Sequence, residues 1–370
     1  MKNLYNHINK IEIDKKNFLE ICNLKLKVYH PLSNFMNKEN FLSVVNRMKL
    51  KNQIFFPFPI YLSINKKYKS ICKKNKIVQL IFNKNNVCNF HIKSTFTFNK
   101  EEKKIIGKKL FKTNSKKHPG YLYFKKENEI FLSGKILNFN KRVIKNINFS
   151  SPIEIKKKIG KLKMIAGFHT RNIPHKGHEW IHSLGAKKCK NILIQPIVGH
   201  FKLGEYSEQA LINANKYIVR KQNLFNKKQK IPHKYFFSFI NIFPKYAGPR
   251  EALFHALIRK NYGCTHFLIG RDHAGYKNFY NEYASQKLCI KYEKKLQIKI
   301  IKYNSPKICK YCKKITNKKC ICKNSKNKNS LLDINGTKIR KLINKKQKLP
   351  EYLIDKKIFQ KLKVKNILYK

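Results

Sequence analysis

The stretch Gly167-Phe168-His169-Thr170-Arg171-Asn172-Ile173-Pro174-His175-Lys176-Gly177-His178-Glu179-Trp180 reads as a strand that ends in a polar turn and restarts as a helix. Pro174 suits the first helical turn, where a missing N–H costs nothing. His175 and His178, three apart at the start of that helix, fall on one face. The unpaired backbone N–H groups and the positive end of the helix dipole gather at the same place, which suits a polyphosphate. Gly177 would let a phosphate come close to the backbone. A His-x-x-His pair alone reads equally well as surface or core. Arg171 and Asn172 just before it shift the balance, because transfer at an α-phosphate needs cationic and amide donors there and positive charge for the departing pyrophosphate.

Outward from this stretch the pattern alternates. Strands are expected at 164–168, 192–198, 236–242, 265–269 and 298–303, and helices at 179–187, 208–224, 250–259 and 279–292. Such alternation with short connections predicts a parallel α/β sheet with right-handed crossovers, whose ligands bind at the carboxyl ends of the strands. Two more segments fall there. Tyr246-Ala247-Gly248-Pro249-Arg250-Glu251-Ala252 is a turn entering a helix, and by itself an ordinary Gly-Pro helix start. Leu268-Ile269-Gly270-Arg271-Asp272-His273-Ala274-Gly275 delivers Gly, Arg, Asp and His to a strand end, an odd collection there unless a ligand binds. Arg271 is a natural oxyanion clamp, and Gly270 allows close approach of a nucleotide.

Upstream, residues 1 to about 150 carry short β-type runs at Ile54–Phe56, Ile60–Ser63, Ile77–Phe82, Tyr121–Phe124 and Glu129–Leu132, separated by Lys- and Asn-rich turns. A compact, mostly β domain is expected. Downstream, Cys309, Cys312, Cys320 and Cys322 form a C-x2-C-x7-C-x-C cluster. Two close pairs of thiolates suit a tetrahedral structural Zn2+, and the absence of an export signal favours metal over disulfides. A Lys/Asn linker at 323–329 follows, then a helical tail from about Asn335-Gly336-Thr337.

The formal charge of +64, from 83 Lys and Arg against 19 Asp and Glu, would by itself suggest nucleic acid or an anionic membrane. But Lys dominates and comes with Asn, Ile, Phe and Tyr along the whole chain, as codon bias in an A/T-rich genome would give. No specific nucleic acid and no membrane partner are therefore expected, although the basic surface would attract anionic substrates. No apolar run is long enough to span a bilayer and no signal peptide is evident, so a soluble, cytoplasmic protein is expected.

Taken with Gln195-Pro196-Ile197-Val198-Gly199 and Asn335-Gly336-Thr337-Lys338-Ile339-Arg340, the three segments resemble the single-chain ATP sulfurylases, or sulfate adenylyltransferases. Residues 247–275 are specific enough to carry the resemblance alone. Pro31–Met36, Arg47–Leu50, Phe56–Ile60 and His118-Pro119-Gly120 are similar to that family's β-rich, PUA-like first domain. The resemblance implies a PUA-like domain at 1–155, an α/β Rossmann-like nucleotidyltransferase domain at 156–303, and a zinc ribbon with a small helical region at 304–370. It implies that ATP and sulfate give adenosine 5′-phosphosulfate and diphosphate, with Mg2+ accompanying ATP, in a homo-oligomer expected to be a dimer.

Carried over by position, Thr170, Arg171, Asn172, His175 and His178 would be catalytic. His169, Thr170, Arg171, Asn172, Gly270, Arg271, Asp272 and His273 would bind ATP. Sulfate would meet His169, Arg171, Arg271 and Ala274, and Arg250 is a further candidate oxyanion partner. His169 departs from the family, which has Gln at this position; imidazole can still donate one N–H to an oxyanion, or two when protonated. The bacterial cysteine insert ends Cys-x-His, where this chain has Cys322. No G-x4-G-K-[ST] P-loop is present, so no fused kinase is expected. Two other readings stand beside this one: a zinc-containing RNA-binding protein, and a catalytically decayed family member. Other nucleotidyltransferases and class I tRNA synthetases share H-x-G-H but lack the segments at 247–252 and 270–274.

Overall fold

The computed structural model describes residues 8–126, 130–145, 149–199, 203–317, 320, 322, 330–334, 336–362, 364 and 366–369. Glu129, the expected linker 323–329 and Asn335 lie outside this set. Packing divides the chain into two compact units. One holds Met1–Glu154, Ile242–Tyr262 and Asp272–Leu296; the other holds Ile155–Asn241, Gly263–Arg271 and Gln297–Lys370. The linear boundaries expected at 155/156 and 303/304 therefore do not follow the packing: two later segments group with the N-terminal residues.

The N-terminal part of the first unit runs β1 (Lys10–Glu12), α1 (Lys15–Lys25), α2 (Lys38–Arg47), β2 (Leu62–Ile64), β3 (Ile77–Phe82), β4 (Asn85–Phe96), α3 (Lys100–Phe111), α4 (Pro119–Lys126), β5 (Ile130–Leu137) and α5 (Arg142–Lys145). Its sheet has the order β1-β3-β4-β5-β2 and is antiparallel except for the β1–β3 pair. More helix is present than the β-type runs suggested. Tyr121–Phe124, expected as a strand, lies in α4. Pro119 opens that helix, and His118 Nδ1 accepts from Tyr121 N at 3.2 Å. Tyr121 and Phe124, spaced at i and i+3, turn one face inward. Ile54–Phe56 forms only an isolated bridge between Lys49 and Phe55. A capping box between Asn99 and Glu102 starts α3.

The chain continues through α6 (Pro152–Ile159), β6 (Ala166–Thr170), α7 (Lys176–Cys189), β7 (Asn191–Val198), α8 (Glu208–Lys228), β8 (Lys234–Phe237), β9 (Ile240–Asn241), α9 (Pro249–Asn261), β10 (His266–Ile269), α10 (Ala284–Lys291), α11 (Glu293–Leu296) and β11 (Lys299–Lys302). The second unit's sheet has the order β11-β10-β6-β7-β8, with β9 also on β7, and every pairing is parallel. This is the expected α/β sheet. All eight residues of β7 are buried, as a central parallel strand requires.

Helices α9 and α10 belong to the first unit. Phe254 of α9 is fully buried there among Tyr29, Phe56 and Phe58. The helix expected at 279–292 is shorter, beginning at Ala284 after a run of turns.

Beyond β11, three short strands form an antiparallel sheet ordered β13-β12-β14: β12 (Lys307–Cys309), β13 (Ile315–Thr316) and β14 (Leu331–Asp333). Helices α12 (Gly336–Asn344) and α13 (Lys356–Leu362) follow. Ile339, Ile354, Ile358 and Leu362 bury against Leu211, Ala214 and Ile218 of α8, so the helical tail is part of the core. No helix among the described residues is long and apolar enough to cross a membrane.

Candidate active site

In the second unit the strand order reverses. From β6 the chain proceeds to β7 and β8 on one side, and later returns to β10 and β11 on the other. In open α/β sheets the ligand crevice forms at the carboxyl ends of the strands flanking such a reversal. The β6–β10 register pairs Ala166 with His266 and Gly167 with Phe267, and the strands end at Thr170 and Ile269. Thr170-Arg171-Asn172 and Gly270-Arg271 therefore leave the same sheet edge side by side. His169 sits within β6, half-buried and in register with Gln195 of β7. Gln195 is fully buried and donates from Nε2 to Ser238 Oγ at 3.3 Å.

The turn between β6 and α7 is held locally. Asn172 N donates to Thr170 Oγ1 at 3.0 Å, and Arg171 Nη2 donates to Glu205 Oε2 at 2.8 Å. Arg340 Nη1 donates to Asn172 Oδ1 at 3.3 Å, and its guanidinium lies 5.9 Å from the centre of the Tyr206 ring. Gly336 is where the C-terminal segment meets this turn: a Cβ there would lie 2.5 Å from Asn172 Oδ1.

Pro174 precedes the helix rather than opening it. His175 is the N-cap, with an extended backbone, and its Nδ1 accepts from His178 N at 3.2 Å. That bond makes Nδ1 the acceptor, so the proton of the neutral ring sits on Nε2. The His175 and His178 rings stack with centroids 3.7 Å apart, and His182 continues the row, 6.4 Å from His178. Phe168 packs edge-on against both His178 and His182. Gly177 serves this packing: a Cβ would come within 2.9 Å of Pro306 and 3.1 Å of the His175 ring. Gly270 is likewise approached by the Tyr303 ring, 2.9 Å from a would-be Cβ.

All three histidines are buried, and burial disfavours their charged forms. It pushes His175 down to about 4 and His182, with a contribution from His175, to about 3. His178 is held well below 6.5 by burial and by both neighbouring imidazoles, against a backbone hydrogen bond to Ile173. At neutral pH the row therefore offers N–H groups and no net charge.

The first unit holds the remaining candidates. Asp272 and Ala274 both have positive φ, 54° and 58°, a strained arrangement for side-chain-bearing residues. Asp272 N donates to Glu282 O at 2.6 Å, and a Cβ on Gly275 would collide with the Asp272 carboxylate. Burial and the charge of Arg259 lower His273 to about 3.

Arg250 is a correction. Its guanidinium is buried and donates to the backbone oxygens of Pro57 at 2.9 Å, Val45 at 2.8 Å and Val44. These donors are taken up by the chain, so Arg250 is a structural strap and not an oxyanion clamp. The turn before it is held by Glu251, which accepts from Lys245 N at 2.8 Å and Ala247 N at 3.1 Å. Tyr280 packs on Gly248 and donates to Tyr246 O at 2.9 Å, while its oxygen lies 3.1 Å from His118 Nε2.

The four cysteines of the small sheet converge. Their sulfurs all lie within 4.8 Å of one another, with Cys309 to Cys322 at 3.7 Å and Cys312 to Cys320 at 3.5 Å. Tetrahedral zinc with Zn–S bonds of about 2.3 Å places its sulfurs about 3.8 Å apart, so the donor set fits. The backbone at Cys312 and, less strongly, Tyr311 donates to Cys309 and holds its thiol down at about 6.

Residues 148–364 match the ATP-sulfurylase family model, more than half of the chain. The chain belongs to the ATP-sulfurylase family. A PUA-like domain model matches residues 1–141. The sulfate adenylyltransferase of Pyrococcus abyssi is 30% identical over 95% of this chain and 89% of its own length. That of Ignicoccus hospitalis is 28% identical over 93% and 87%. Among solved structures, a hexameric APS kinase from Thiobacillus denitrificans superposes with a TM-score of 0.67 at 15% identity. That likeness covers 98% of this chain and 64% of that one, and it speaks for the fold alone. As an ATP-sulfurylase family member the chain has features that sequence reading missed. The Arg171–Glu205 pair, the Arg340–Asn172 contact and the third histidine of the row all join residues distant in sequence or outside any motif; only His182, on the face of His175 and His178 seven residues on, left a signal.

Proposed function

We propose that the chain is a sulfate adenylyltransferase, joining ATP and sulfate into adenosine 5′-phosphosulfate with release of diphosphate. One observation carries this reading. Thr170-Arg171-Asn172 and Gly270-Arg271 leave adjacent strand ends at the reversal of a parallel sheet, in a chain of the ATP-sulfurylase family.

A sulfate oxygen attacks the α-phosphorus in line. The new S–O–P link forms as the bond to the β-phosphate oxygen breaks and diphosphate departs. Sulfate is already ionised, so no general base is needed, and catalysis is positioning and electrostatics. Arg171 and Arg271, with His169 and the backbone at Ala274, hold sulfate. Thr170, Arg171 and Asn172 orient the α-phosphate, and Gly270, Arg271, Asp272 and His273 line the nucleotide, which arrives as its Mg2+ complex. His175 and His178 face the departing diphosphate at the start of α7. Their low proton affinity makes them neutral donors there until the arriving charge draws a proton.

Cys309, Cys312, Cys320 and Cys322 would hold a structural Zn2+, which would tie the three-stranded sheet together and take no part in the chemistry. The enzyme works in the cytoplasm, where its ATP is, as a homo-oligomer expected to be a dimer. Sulfate-dependent exchange of labelled diphosphate into ATP, with Mg2+, tests the reading. Exchange that requires sulfate supports it; no exchange, or exchange only with an amino acid, refutes it.

A further inference from the structure

We infer that His118 and Tyr280 are positioning residues, which pin the loop carrying Asp272, His273 and Ala274 in the conformation its substrates meet. The inference rests on the reading above, in which those three residues face nucleotide and sulfate. Neither His118-Pro119-Gly120 nor Tyr246-Ala247-Gly248 has a part in that chemistry, and both lie in the first unit with the loop.

The loop has a closed neck. Asp272 N donates to Glu282 O at 2.6 Å, and Ser285 Oγ donates to the His273 carbonyl at 2.6 Å. Positive φ at Asp272, Ala274 and Lys277 makes this backbone unfavourable on its own, so it needs a hold from outside. The far side of the loop has one. Tyr276, Phe279 and Tyr280 stand edge-on around the fully buried His118 imidazole, with ring centres 6.0, 4.9 and 5.8 Å away.

The polar bonds there admit one arrangement. Tyr121 N can only donate, so His118 Nδ1, 3.2 Å away, carries the lone pair and Nε2 carries the proton. Burial favours that neutral ring, pushing it down to about 4 against a backbone hydrogen bond to Tyr246. His118 Nε2 then donates to Tyr280 Oη at 3.1 Å, and the Tyr280 hydroxyl donates to Tyr246 O at 2.9 Å. One hydroxyl thus joins the start of α4, the turn before α9 and the loop. Both glycines make room for this junction. A Cβ on Gly248, at φ 50°, would come within 2.7 Å of the Tyr280 ring, and one on Gly120 within 2.6 Å of Lys245 O.

A loosened loop and a weakened fold have different kinetic signatures. Loss of folded enzyme lowers kcat alone, whereas a mobile loop weakens substrate binding and raises KM. Tyr280→Phe removes only the hydroxyl. It is expected to raise KM for ATP and for sulfate about fivefold, with kcat within about twofold, as the loss of one hydrogen bond implies. His118→Asn, whose Oδ1 stands in for Nδ1, keeps the acceptor for Tyr121 N but cannot reach Tyr280, and should match Tyr280→Phe. His118→Gln, whose amide reaches the Nε2 position, keeps the donor to Tyr280 and gives up the cap on α4. It should leave both KM values within about twofold while lowering the melting temperature. Amide hydrogen exchange at Asp272 should quicken about fivefold in Tyr280→Phe and His118→Asn, but not in His118→Gln. Unchanged amide exchange in Tyr280→Phe overturns the anchoring. A loss in kcat alone, or equal KM values in His118→Asn and His118→Gln, overturns the positioning role. If the native protein shows no sulfate-dependent diphosphate exchange, the enzymatic reading fails, while amide exchange at Asp272 still decides the anchoring.

Discussion

Arg171 donates to Glu205 at 2.8 Å, so the guanidinium proposed to receive both sulfate and the α-phosphate already faces a carboxylate. Glu205 is held in place by the chain terminus: Tyr369 N donates to Glu205 O at 2.7 Å, and Ser207 Oγ to Asn366 O at 2.8 Å. An incoming oxyanion must compete with that carboxylate. Both side chains are nearly a third exposed, and pairs of this kind contribute about 1 kcal/mol at most. Glu205→Gln should lower KM for sulfate by up to about fivefold and make it more sensitive to salt. Kinetics at two ionic strengths check this; a raised KM would mean that the carboxylate aims Arg171 rather than competing for it.

His169→Gln restores the amide that the family carries before Thr-Arg-Asn. His169 lies within β6, and its register partner Gln195 belongs to a fully buried strand, so the exchange alters a donor without altering the strand. Activity at pH 8 should be retained or increased, measured as sulfate-dependent diphosphate exchange. A large loss would assign His169 a role of its own.

The parallel sheet was legible because its strands are apolar runs with helices between them, and β6, β7 and β10 fall within a few residues of their expected places. The N-terminal unit was less legible. Tyr121 and Phe124 look like strand residues until His118 caps them into a helix, and β4 runs through polar and apolar residues without clean alternation. At the site, Thr170–Asn172 and Gly270–Arg271 announced themselves as polar residues at strand ends. Arg250 misled because an arginine after Gly-Pro reads the same whether it meets an anion or backbone carbonyls. Only the positions of Val44, Val45 and Pro57, some two hundred residues earlier, distinguish the two.

Arg250 should accordingly behave as a stability residue. Burial lowers it to about 10, still charged at neutral pH, and a shorter or monodentate side chain leaves buried carbonyls without donors. Arg250→Lys is expected to destabilise the protein by about 2–4 kcal/mol, with KM for sulfate within about twofold when assayed well below the transition. Chemical denaturation and kinetics on one preparation separate the effects. A selective rise in KM for sulfate at unchanged stability would return Arg250 to the anion site.

The buried histidine row makes stability depend on pH. Unfolded, His175 and His182 each take a proton near the ordinary 6.5; folded, they resist until about 4 and about 3. Between these values the unfolded chain binds more protons. Stability is therefore complete above pH 6.5 and drains as pH falls, by about 1.4 kcal/mol per pH unit for each histidine. Neither ring nitrogen of His182 has a hydrogen-bond partner among the described residues. His182→Leu should consequently be no less stable than the native protein at pH 5 and should lose one proton's worth of slope. Urea midpoints at pH 7, 6 and 5 measure it; an unchanged slope would mean that His182 is protonated or hydrated in the folded state.

The cysteine cluster gives the last test. Four sulfurs within 4.8 Å of one another, on a sheet of strands only two or three residues long, have little else to hold them. The apolar residues gathered there, Ile308, Ile334 and Leu353 with Ile315, Leu332 and Tyr352 at the margin, make a small core. Without metal, so short a sheet does not bury enough surface to order itself. The same region supports α7, since Leu353 O accepts from Lys176 N at 2.8 Å and Pro306 packs on Gly177 beneath His175. Purified protein should carry about one zinc per chain by elemental analysis. Stripping it should lower the melting temperature and raise KM for ATP through loosening of the start of α7. Cys312→Ser and Cys320→Ser should each do the same. Protein that is fully stable and active with no bound metal would show that the four thiols hold this sheet unaided.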